Sequence, residues 1–149
     1  MRPFHLIIIA LMTFVLSSCT SLVLKPADFA WPIESVLKVE KDGKISDSRY
    51  SFSVNVNELL KNEYASLPED EEVSLRVIRD VNGYYFITAK GFRFVYVFEE
   101  SSGALSLKNK INIPGIDSFT NPIFNQRSPY IQFVEQEENF MLNSDGVVK

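Results

Sequence analysis

The residue types that most often carry protein chemistry are scarce in this chain of 149 residues. It has one histidine, His5, and one cysteine, Cys19, and both lie near the N-terminus. If processing removes residues 1–18, the mature chain has no histidine, and its one thiol is on its first residue. That inventory excludes Ser-His-Asp and Cys-His catalysis, zinc sites built on histidine or cysteine, and internal disulfides. We therefore expect no catalytic residue, no metal site and no cofactor, and a protein that is not an enzyme.

Carboxylates are the remaining groups suited to acid–base catalysis, and they fall into three tight clusters. These are Glu69–Glu72, Glu99–Glu100 and Glu137–Glu138, all in predicted loops or at strand ends. Catalytic carboxylates need a cleft that separates their pKa values, whereas clustered loop acids stay solvated and charged. Glu69–Glu72 offers oxygen ligands but lacks the Asp-x-Asp-x-Asp-Gly spacing of a calcium loop. We therefore interpret all three clusters as solvated loops.

Aromatic residues are the stronger candidates for binding. Tyrosine presents a flat apolar ring with a polar tip, which suits contact with a carbohydrate, a peptide or a partner protein. Seven aromatics occur within fifteen residues: Tyr84, Tyr85, Phe86, Phe92, Phe94, Tyr96 and Phe98. Because aromatics favour strands in general, we expect the phenylalanines to fill a core. Tyr85 has the opposite parity to Tyr84 and Phe86, and it is the candidate binding residue on an outward face.

The charge balance disfavours nucleic acid as a partner. Fifteen lysines and arginines stand against 19 aspartates and glutamates, which gives a formal net charge of −4. Nucleic-acid-binding domains carry a basic patch or stripe, and this sequence shows neither. No glycine-rich run opens a helix, so a phosphate-binding loop is not expected either.

The N-terminus has the order of an export signal. Arg2 supplies a positive charge, Leu6–Leu16 is an apolar run of 11 residues, and the small residues Ser17 and Ser18 follow it. A transmembrane helix needs about 20 apolar residues, whereas the core of a signal peptide needs about 7–15. The run therefore predicts a cleaved signal peptide over residues 1–18.

The four residues Leu16-Ser17-Ser18-Cys19 resemble the lipobox of bacterial lipoproteins. The resemblance implies cleavage before Cys19, a diacylglycerol thioether on its sulfur, and a fatty acyl group such as palmitate on its new α-amine. Two or more acyl chains give stable attachment to a membrane. The resemblance also implies a place in the bacterial cell envelope. Thr20 stands where aspartate would be an inner-membrane retention signal in enteric bacteria, so the outer membrane is favoured if the cell has one.

A tether is predicted between the lipidated cysteine and the folded part of the chain. Residues 19–32 show no sustained hydrophobic periodicity of a helix or strand, and they contain Pro26 and Pro32. Trp31 is expected to mark the point where the chain docks on the domain. The globular domain is predicted to span residues 33–149.

Period-2 alternation dominates that domain, as in half-buried strands. Tyr50–Val56 alternates apolar and polar residues, and Phe92–Phe98 is apolar on both faces, which predicts a central strand. Further strand candidates are Val73–Val77, Tyr84–Ala89, Leu105–Ile111 and Tyr130–Glu135. The predicted fold is mainly β, a small antiparallel meander, barrel or sandwich of about six to nine short strands.

All six glycines occupy turn-like positions, where their freedom to adopt positive φ is useful. Lys90-Gly91 is expected to join Tyr84–Ala89 and Phe92–Glu99 as an antiparallel hairpin with a turn of two or slightly more residues. Phe94, Tyr96 and Phe98 are expected to point into the core.

At most one short helix is predicted, over Glu58–Ala65, with Asn57 as a candidate N-cap. Its apolar residues are Leu59, Leu60 and Tyr64. A helix of this length is not stable without packing, so we expect it to lie against the strands.

A weak internal repeat relates Phe94–Leu107 to Phe140–Lys149. Each segment has a strand, a serine-containing turn that ends in glycine, and the start of a second strand. Repeats of about 40–50 residues are typical of propeller blades, but a propeller needs about four blades or more. A generic hairpin pattern is the favoured interpretation, and a fragment of a propeller-like protein is the alternative.

These observations favour a membrane-anchored envelope lipoprotein whose β-rich domain has a non-enzymatic binding or structural role. Its expected partners are the membrane, through the lipid on Cys19, and an envelope protein or carbohydrate. The alternative is a hydrolase that acts on an envelope polymer through two carboxylates facing each other across a groove.

Overall fold

The computed structural model describes residues 29–64 and 72–148. The predicted signal peptide, Cys19, most of the tether, Ala65 and Glu69–Glu71 lie outside these ranges. Eleven strands and one helix, α1 (Asn57–Glu63), occur in the described residues. The strands are β1 (Ser35–Lys38), β2 (Lys44–Asp47), β3 (Phe52–Asn55), β4 (Ser74–Arg79), β5 (Tyr85–Ala89), β6 (Phe94–Ser101), β7 (Ala104–Asn112), β8 (Ile123–Arg127), β9 (Tyr130–Glu135), β10 (Glu138–Asn143) and β11 (Gly146–Val148).

The mainly β class with one short helix is confirmed, although the strands are more numerous than predicted. The additional ones include β1, β2 and β8, which have four or five residues each and polar positions that interrupt the apolar pattern. β1 pairs with the distant strand β4, whereas β2 and β8 pair with the next strand in the chain, and their apolar patterns are too short to show this in the sequence.

The strands form three antiparallel sheets. The first has the order β1-β4-β5-β6-β7, the second has the order β11-β10-β9-β8, and the third is the hairpin β2-β3. The second sheet packs beside the first, with β8 near β4 and β11 near β7. The hairpin β2-β3 covers one face of the first sheet, where the ring of Phe52 lies 5.3 Å from that of Tyr85.

The centre of the first sheet is β5. All five of its side chains, over Tyr85–Ala89, are buried, as expected for a strand that is covered on both faces. The sequence predicts β6 as a central strand that is covered on both faces. β6 is an interior strand between β5 and β7, and Val95, Tyr96 and Val97 are buried, so the prediction is confirmed for these residues, although β5 holds the middle position of the sheet.

Trp31 docks the chain on the domain as predicted. Its side chain is buried, stacks on Tyr50 with ring centres 4.2 Å apart, and meets Tyr85 edge-on at 5.7 Å. Its backbone N–H donates to the carbonyl of Arg79 at 2.9 Å. Trp31 is therefore part of the core, and the folded unit begins before residue 33.

The hairpin of β5 and β6 is antiparallel as predicted, with Tyr85 opposite Phe98 and Ile87 opposite Tyr96. Its connection is longer than two residues, because the strands end at Ala89 and restart at Phe94. Tyr96 is buried, whereas Phe94 is only partly buried against the core.

Helix α1 begins one residue earlier than predicted, and Asn57 is not its N-cap. The N-cap position is held by Val56, which makes no side-chain capping hydrogen bond. Asn57 instead donates its side-chain amide to the carbonyl of Asp42 at 3.1 Å. Gly43, with φ of 78°, makes room for this contact, since a Cβ there would lie 1.8 Å from Asn57 Oδ1. Over the described ranges, no helix has the length and hydrophobicity needed to cross a membrane.

The weak sequence repeat coincides with two equivalent hairpins. Phe94–Leu107 falls on β6 and β7, and the described part of the second segment, residues 140–148, falls on β10 and β11, which are the last two strands of successive four-stranded meanders. Asn109 on β7 donates to the carbonyl of Ser144 at 3.2 Å, which ties the two hairpins together. The repeat therefore marks two meanders packed side by side, with their first and last strands as neighbours.

Candidate functional site

The predicted binding residue Tyr85 lies in the core. Its side chain is 2% exposed and packs against Trp31 and Phe52. The prediction of an outward-facing Tyr85 is wrong, because Trp31 and the hairpin β2-β3 cover the face on which its ring lies. Its neighbour Tyr84 is partly exposed instead, with Lys108 Nζ 5.1 Å from its ring centre.

The acidic clusters are solvent-exposed where the structure describes them. Glu99–Glu100 lies near the end of β6, and Glu137–Glu138 lies at the turn between β9 and β10. Glu72 forms an exposed ion pair with Lys38 at 2.5 Å. The interpretation of these residues as solvated is confirmed. Within the described residues, 29–64 and 72–148, no group of three or more carboxylate, histidine or cysteine side chains lies close enough together to hold a metal ion.

Two buried carboxylates hold loops against the sheets through ion pairs and hydrogen bonds. Neither was among the residues singled out in the sequence. Glu34 pairs with Arg76 on β4, and its burial raises its pKa above the usual value despite its ion pair and hydrogen bonds. Glu135 accepts hydrogen bonds from the backbone N–H groups of Thr120 at 2.9 Å and Asn121 at 3.2 Å. The oxygens of each carboxylate are engaged by such partners, which gives both residues a structural role.

A third buried carboxylate, Asp47, joins β1 to the turn after β2. It accepts a hydrogen bond from the Ser35 hydroxyl at 2.5 Å and one from Arg49 Nη2 at 2.7 Å. The guanidinium of Arg49 is the main reason that the pKa of Asp47 falls from 3.8 to about 2. Asp47 therefore stays ionised at neutral pH and stabilises the packing of the hairpin β2-β3 on the first sheet.

A cleft of about 210 Å³ opens between α1, β3 and the hairpin of β6 and β7. The hairpin β2-β3 and α1 leave the β7 side of the first sheet partly uncovered, so Phe98 and Leu105 are half-buried and Leu107 is 49% exposed. The lining residues are Val54, Asn55, Val56, Glu58, Leu59, Asn62, Ile87, Tyr96, Phe98, Leu105 and Leu107. The lining is therefore mostly apolar, with its polar groups on β3 and α1.

A β-bulge places the leucines of β7 on the cleft side. Val97 pairs with Asn109, but the next residue, Phe98, pairs with Leu107, so Lys108 is left without a partner in the ladder. Because side chains alternate between the faces of a strand, an unbroken register would place Lys108 opposite Phe98. The bulge thus brings Leu107 beside Phe98 and directs Lys108 away.

Tyr96 connects the cleft to a buried carboxylate at the end of α1. Its hydroxyl donates to Glu63 Oε1 at 2.5 Å, and the backbone N–H of Arg93 donates to Glu63 Oε2 at 2.8 Å. A carboxylate at a helix C-terminus is unfavourable for the helix dipole, and these two donors offset that cost. Burial and the Glu63 hydrogen bond raise the pKa of Tyr96, so its hydroxyl stays protonated at neutral pH.

The lining of the cleft is apolar and carries little charge. Its single lining carboxylate is Glu58, which is exposed and paired with Lys61 at 2.9 Å. Hydrolysis by paired carboxylates needs two acids facing each other across the substrate, and this lining does not provide them. A concave apolar surface with a few polar groups is typical of sites that bind a ligand or a partner side chain.

The cleft is not evident in the sequence, although several of its residues are among the predicted strand and aromatic residues. Tyr96 and Phe98 belong to the aromatic cluster, and Leu105 opens a predicted strand. What brings them together with Leu59 is the bulge in β7 and the distant packing of α1, neither of which has a local signal.

Neither the known protein families, nor the curated proteins, nor the solved structures contain a significant match to this chain.

Proposed function

We propose that the protein is a bacterial lipoprotein, anchored in the cell envelope by acyl chains on Cys19, whose β-rich domain binds a partner without catalysis. The anchor is supported by Leu16-Ser17-Ser18-Cys19 directly after an apolar run of signal-peptide length. In a cell with two membranes, the proposed destination is the outer membrane, because Thr20 follows Cys19.

The observation that carries the binding role is the apolar cleft beside α1. Covering Leu107, which leaves 49% of its side chain in water, is favourable in proportion to the apolar area removed from solvent. The cleft volume of about 210 Å³ lies below the roughly 300–1,000 Å³ of sites for drug-sized ligands. We therefore assign to it one apolar side chain of a partner protein.

A peptide segment suits this cleft better than a carbohydrate does. Leu59, Leu105 and Leu107 present methyl groups, whereas a sugar ring needs several hydrogen-bonding partners around its hydroxyls. Asn62 lies at the exposed rim, where its side-chain amide can donate to and accept from a peptide backbone. An apolar side chain in the cleft with its backbone beside Asn62 satisfies both kinds of surface.

The test is a methyl NMR titration of the mature protein with N-acetyl-leucine amide, a minimal peptide with one apolar side chain. We expect concentration-dependent shifts in the methyl groups of Leu59, Leu105 and Leu107. The methyl groups of Val36, which is 56% exposed on the far edge strand β1, serve as the internal control and should not move.

Two matched substitutions test whether the shifts come from binding in the cleft. Leu107→Asp places a charge at the cleft rim and should abolish the shifts at Leu59. Val36→Asp makes the same change at an equally exposed apolar position and should leave them intact. Absence of shifts in the unaltered protein, or their persistence in Leu107→Asp, would contradict the proposed binding site.

A further inference from the structure

The first described segment, residues 29–36, has an inverted distribution of polar and apolar side chains. Its exposed side chains are Phe29, Pro32, Ile33 and Val36, and all four are apolar. Ser35, by contrast, is buried, and Glu34 is largely buried, with its carboxylate engaged by Arg76 and by the backbone N–H of Phe124. We call the exposed four the N-terminal apolar edge.

The exposed apolar side chains of the domain concentrate on this edge. Among residues 29–64 and 72–148, five large hydrophobic side chains are strongly exposed, and three of them are Phe29 (51%), Ile33 (59%) and Val36 (56%). Single exposed hydrophobic residues are normal on soluble proteins, but three within the eight residues 29–36 are more than isolated exposure explains. The remaining two, Val81 and Leu107, lie elsewhere in the sequence.

The length of the preceding chain limits what this edge can meet. Nine residues lie between Phe29 and Cys19, the proposed lipidation site, and the ten steps of extended chain from one to the other reach at most about 35 Å. Residues 29–36 follow directly on this connection, so they enter the domain at its anchored end. The surface nearest to them is therefore the lipid surface in which the acyl chains are inserted.

We infer that the N-terminal apolar edge docks on the lipid bilayer that holds the anchor, with Phe29, Ile33 and Val36 inserted at the level of the lipid headgroups. This inference rests on the proposed lipidation of Cys19. Acyl chains confine the domain to the membrane, and the one carboxylate within residues 29–36, that of Glu34, is paired with Arg76, which weakens its repulsion from anionic lipids. The occupant of the edge is a lipid surface and not a second protein.

Docking in this way also orients the cleft. Strands β1 and β7 are the two outer strands of the first sheet, four inter-strand spacings apart, which is about 19 Å. When the β1 side rests on the bilayer, Leu107 on β7 is held away from it. The cleft then faces the aqueous compartment, where a partner protein can reach it.

The test uses the intact lipidated protein in vesicles of phosphatidylethanolamine and phosphatidylglycerol. With Cys19 modified by lipid, Ile33→Cys, Val36→Cys and Leu107→Cys each introduce the one free thiol for an environment-sensitive fluorophore. We expect the probes at positions 33 and 36 to shift to shorter emission wavelength and to be quenched by bromine-labelled lipid. The probe at position 107, which replaces a side chain of similar exposure, should keep its aqueous emission.

Each other outcome contradicts the inference in a distinct way. Aqueous emission at positions 33 and 36, with mass spectrometry showing lipid on Cys19, would overturn the docking and leave the anchor intact. A blue shift without quenching by brominated lipid would show that protein covers the edge. Quenching at position 107 as well would contradict the orientation. A protein without lipid on Cys19 would overturn both the anchor and the docking.

Discussion

At the scale of single residues, Asp47 sets a pH dependence of stability. Its pKa is lowered from 3.8 to about 2 in the folded protein, mainly by Arg49. A lowered folded-state pKa means that the ionised carboxylate stabilises the fold above the unfolded value, and this stabilisation is lost as pH falls from about 4 to about 2. We expect Asp47→Asn to cost about 1–2 kcal/mol at neutral pH, with exposure of Arg49 reducing the effect. Denaturant melts across this pH range would show a smaller acid-induced loss in the variant.

Glu34 is the control residue, because its folded-state pKa is shifted in the opposite direction to that of Asp47. Burial raises its folded-state pKa above 4.5, so its ionisation opposes folding as pH rises through that folded value. Glu34→Gln should therefore leave the acid-induced loss between about pH 4 and pH 2 in place. An identical acid response in Asp47→Asn and in the unaltered protein would contradict the assignment to Asp47.

Tyr85 and Phe94 test which aromatic residue is core. Tyr85 is 2% exposed and Phe94 is only partly buried, so we expect Tyr85→Ala to cost about 3–5 kcal/mol and Phe94→Ala about 1–2 kcal/mol. Urea melts of the two variants measure the difference directly. A loss at Phe94 as large as that at Tyr85 would mean that Phe94 is as fully part of the core as Tyr85 and would contradict its partial burial.

The aromatic cluster is evident in the sequence, but the burial of its individual members is not. Parity along one strand correctly separates Tyr85 from Tyr84 and Phe86, yet parity alone does not tell which face is covered. Trp31 and Phe52, distant in sequence, cover the face of Tyr85. The outcome at this residue therefore depends on packing between segments, which no local pattern contains.

At the scale of elements, Gly43 lies in the turn that precedes β2, and its lack of a side chain lets the first residue of α1 approach that turn closely. Gly43 and Gly103 have nearly the same φ, 78° and 79°, but only Gly43 has a side chain, Asn57, within reach of an added Cβ. We expect Gly103→Ala to cost about 1 kcal/mol for its backbone conformation. Gly43→Ala should cost about 2 kcal/mol, because the contact between Asn57 and Asp42 is lost as well.

Thermal melts of these two variants, together with Gly43→Ala combined with Asn57→Ala, check the mechanism. Removing the amide of Asn57 takes away the clash, so the combined losses should be less than additive. Equal losses at Gly43 and Gly103, or strict additivity, would contradict the role of this close approach.

Elements with a strong local pattern were predictable, and those defined by long-range pairing were not. Tyr130–Glu135 is a strand with the predicted ends, and the hairpin of β5 and β6 pairs as expected. Strand β1 depends on β4, a distant partner, whereas β8 and the bulge that turns Leu107 toward the cleft lie in hairpins of neighbouring strands whose sequence pattern is weak. The candidate site combines that bulge with the packing of α1 on distant strands, which is why it was missed.

At the scale of the whole molecule, the described residues form a five-stranded and a four-stranded antiparallel sheet, with the hairpin β2-β3 and α1 packed on the first of them. Trp31 belongs to the core of this unit, so the connection to Cys19 is shorter than the predicted tether. In the proposed arrangement, the lipid anchor and the N-terminal apolar edge lie toward the bilayer, and the cleft faces away from it. Anchoring at Cys19 is the claim on which this arrangement depends.

The measurement that tests anchoring most directly is the intact mass of the protein extracted from membranes of an expressing bacterium. We expect a chain that begins at Cys19 and carries a diacylglycerol thioether and an acylated α-amine, with residues 1–18 absent. Cys19→Ser should lose both the processing and the incorporation of labelled palmitate, because the sulfur is the attachment point. A retained N-terminus, or an unmodified thiol on Cys19, would contradict the account.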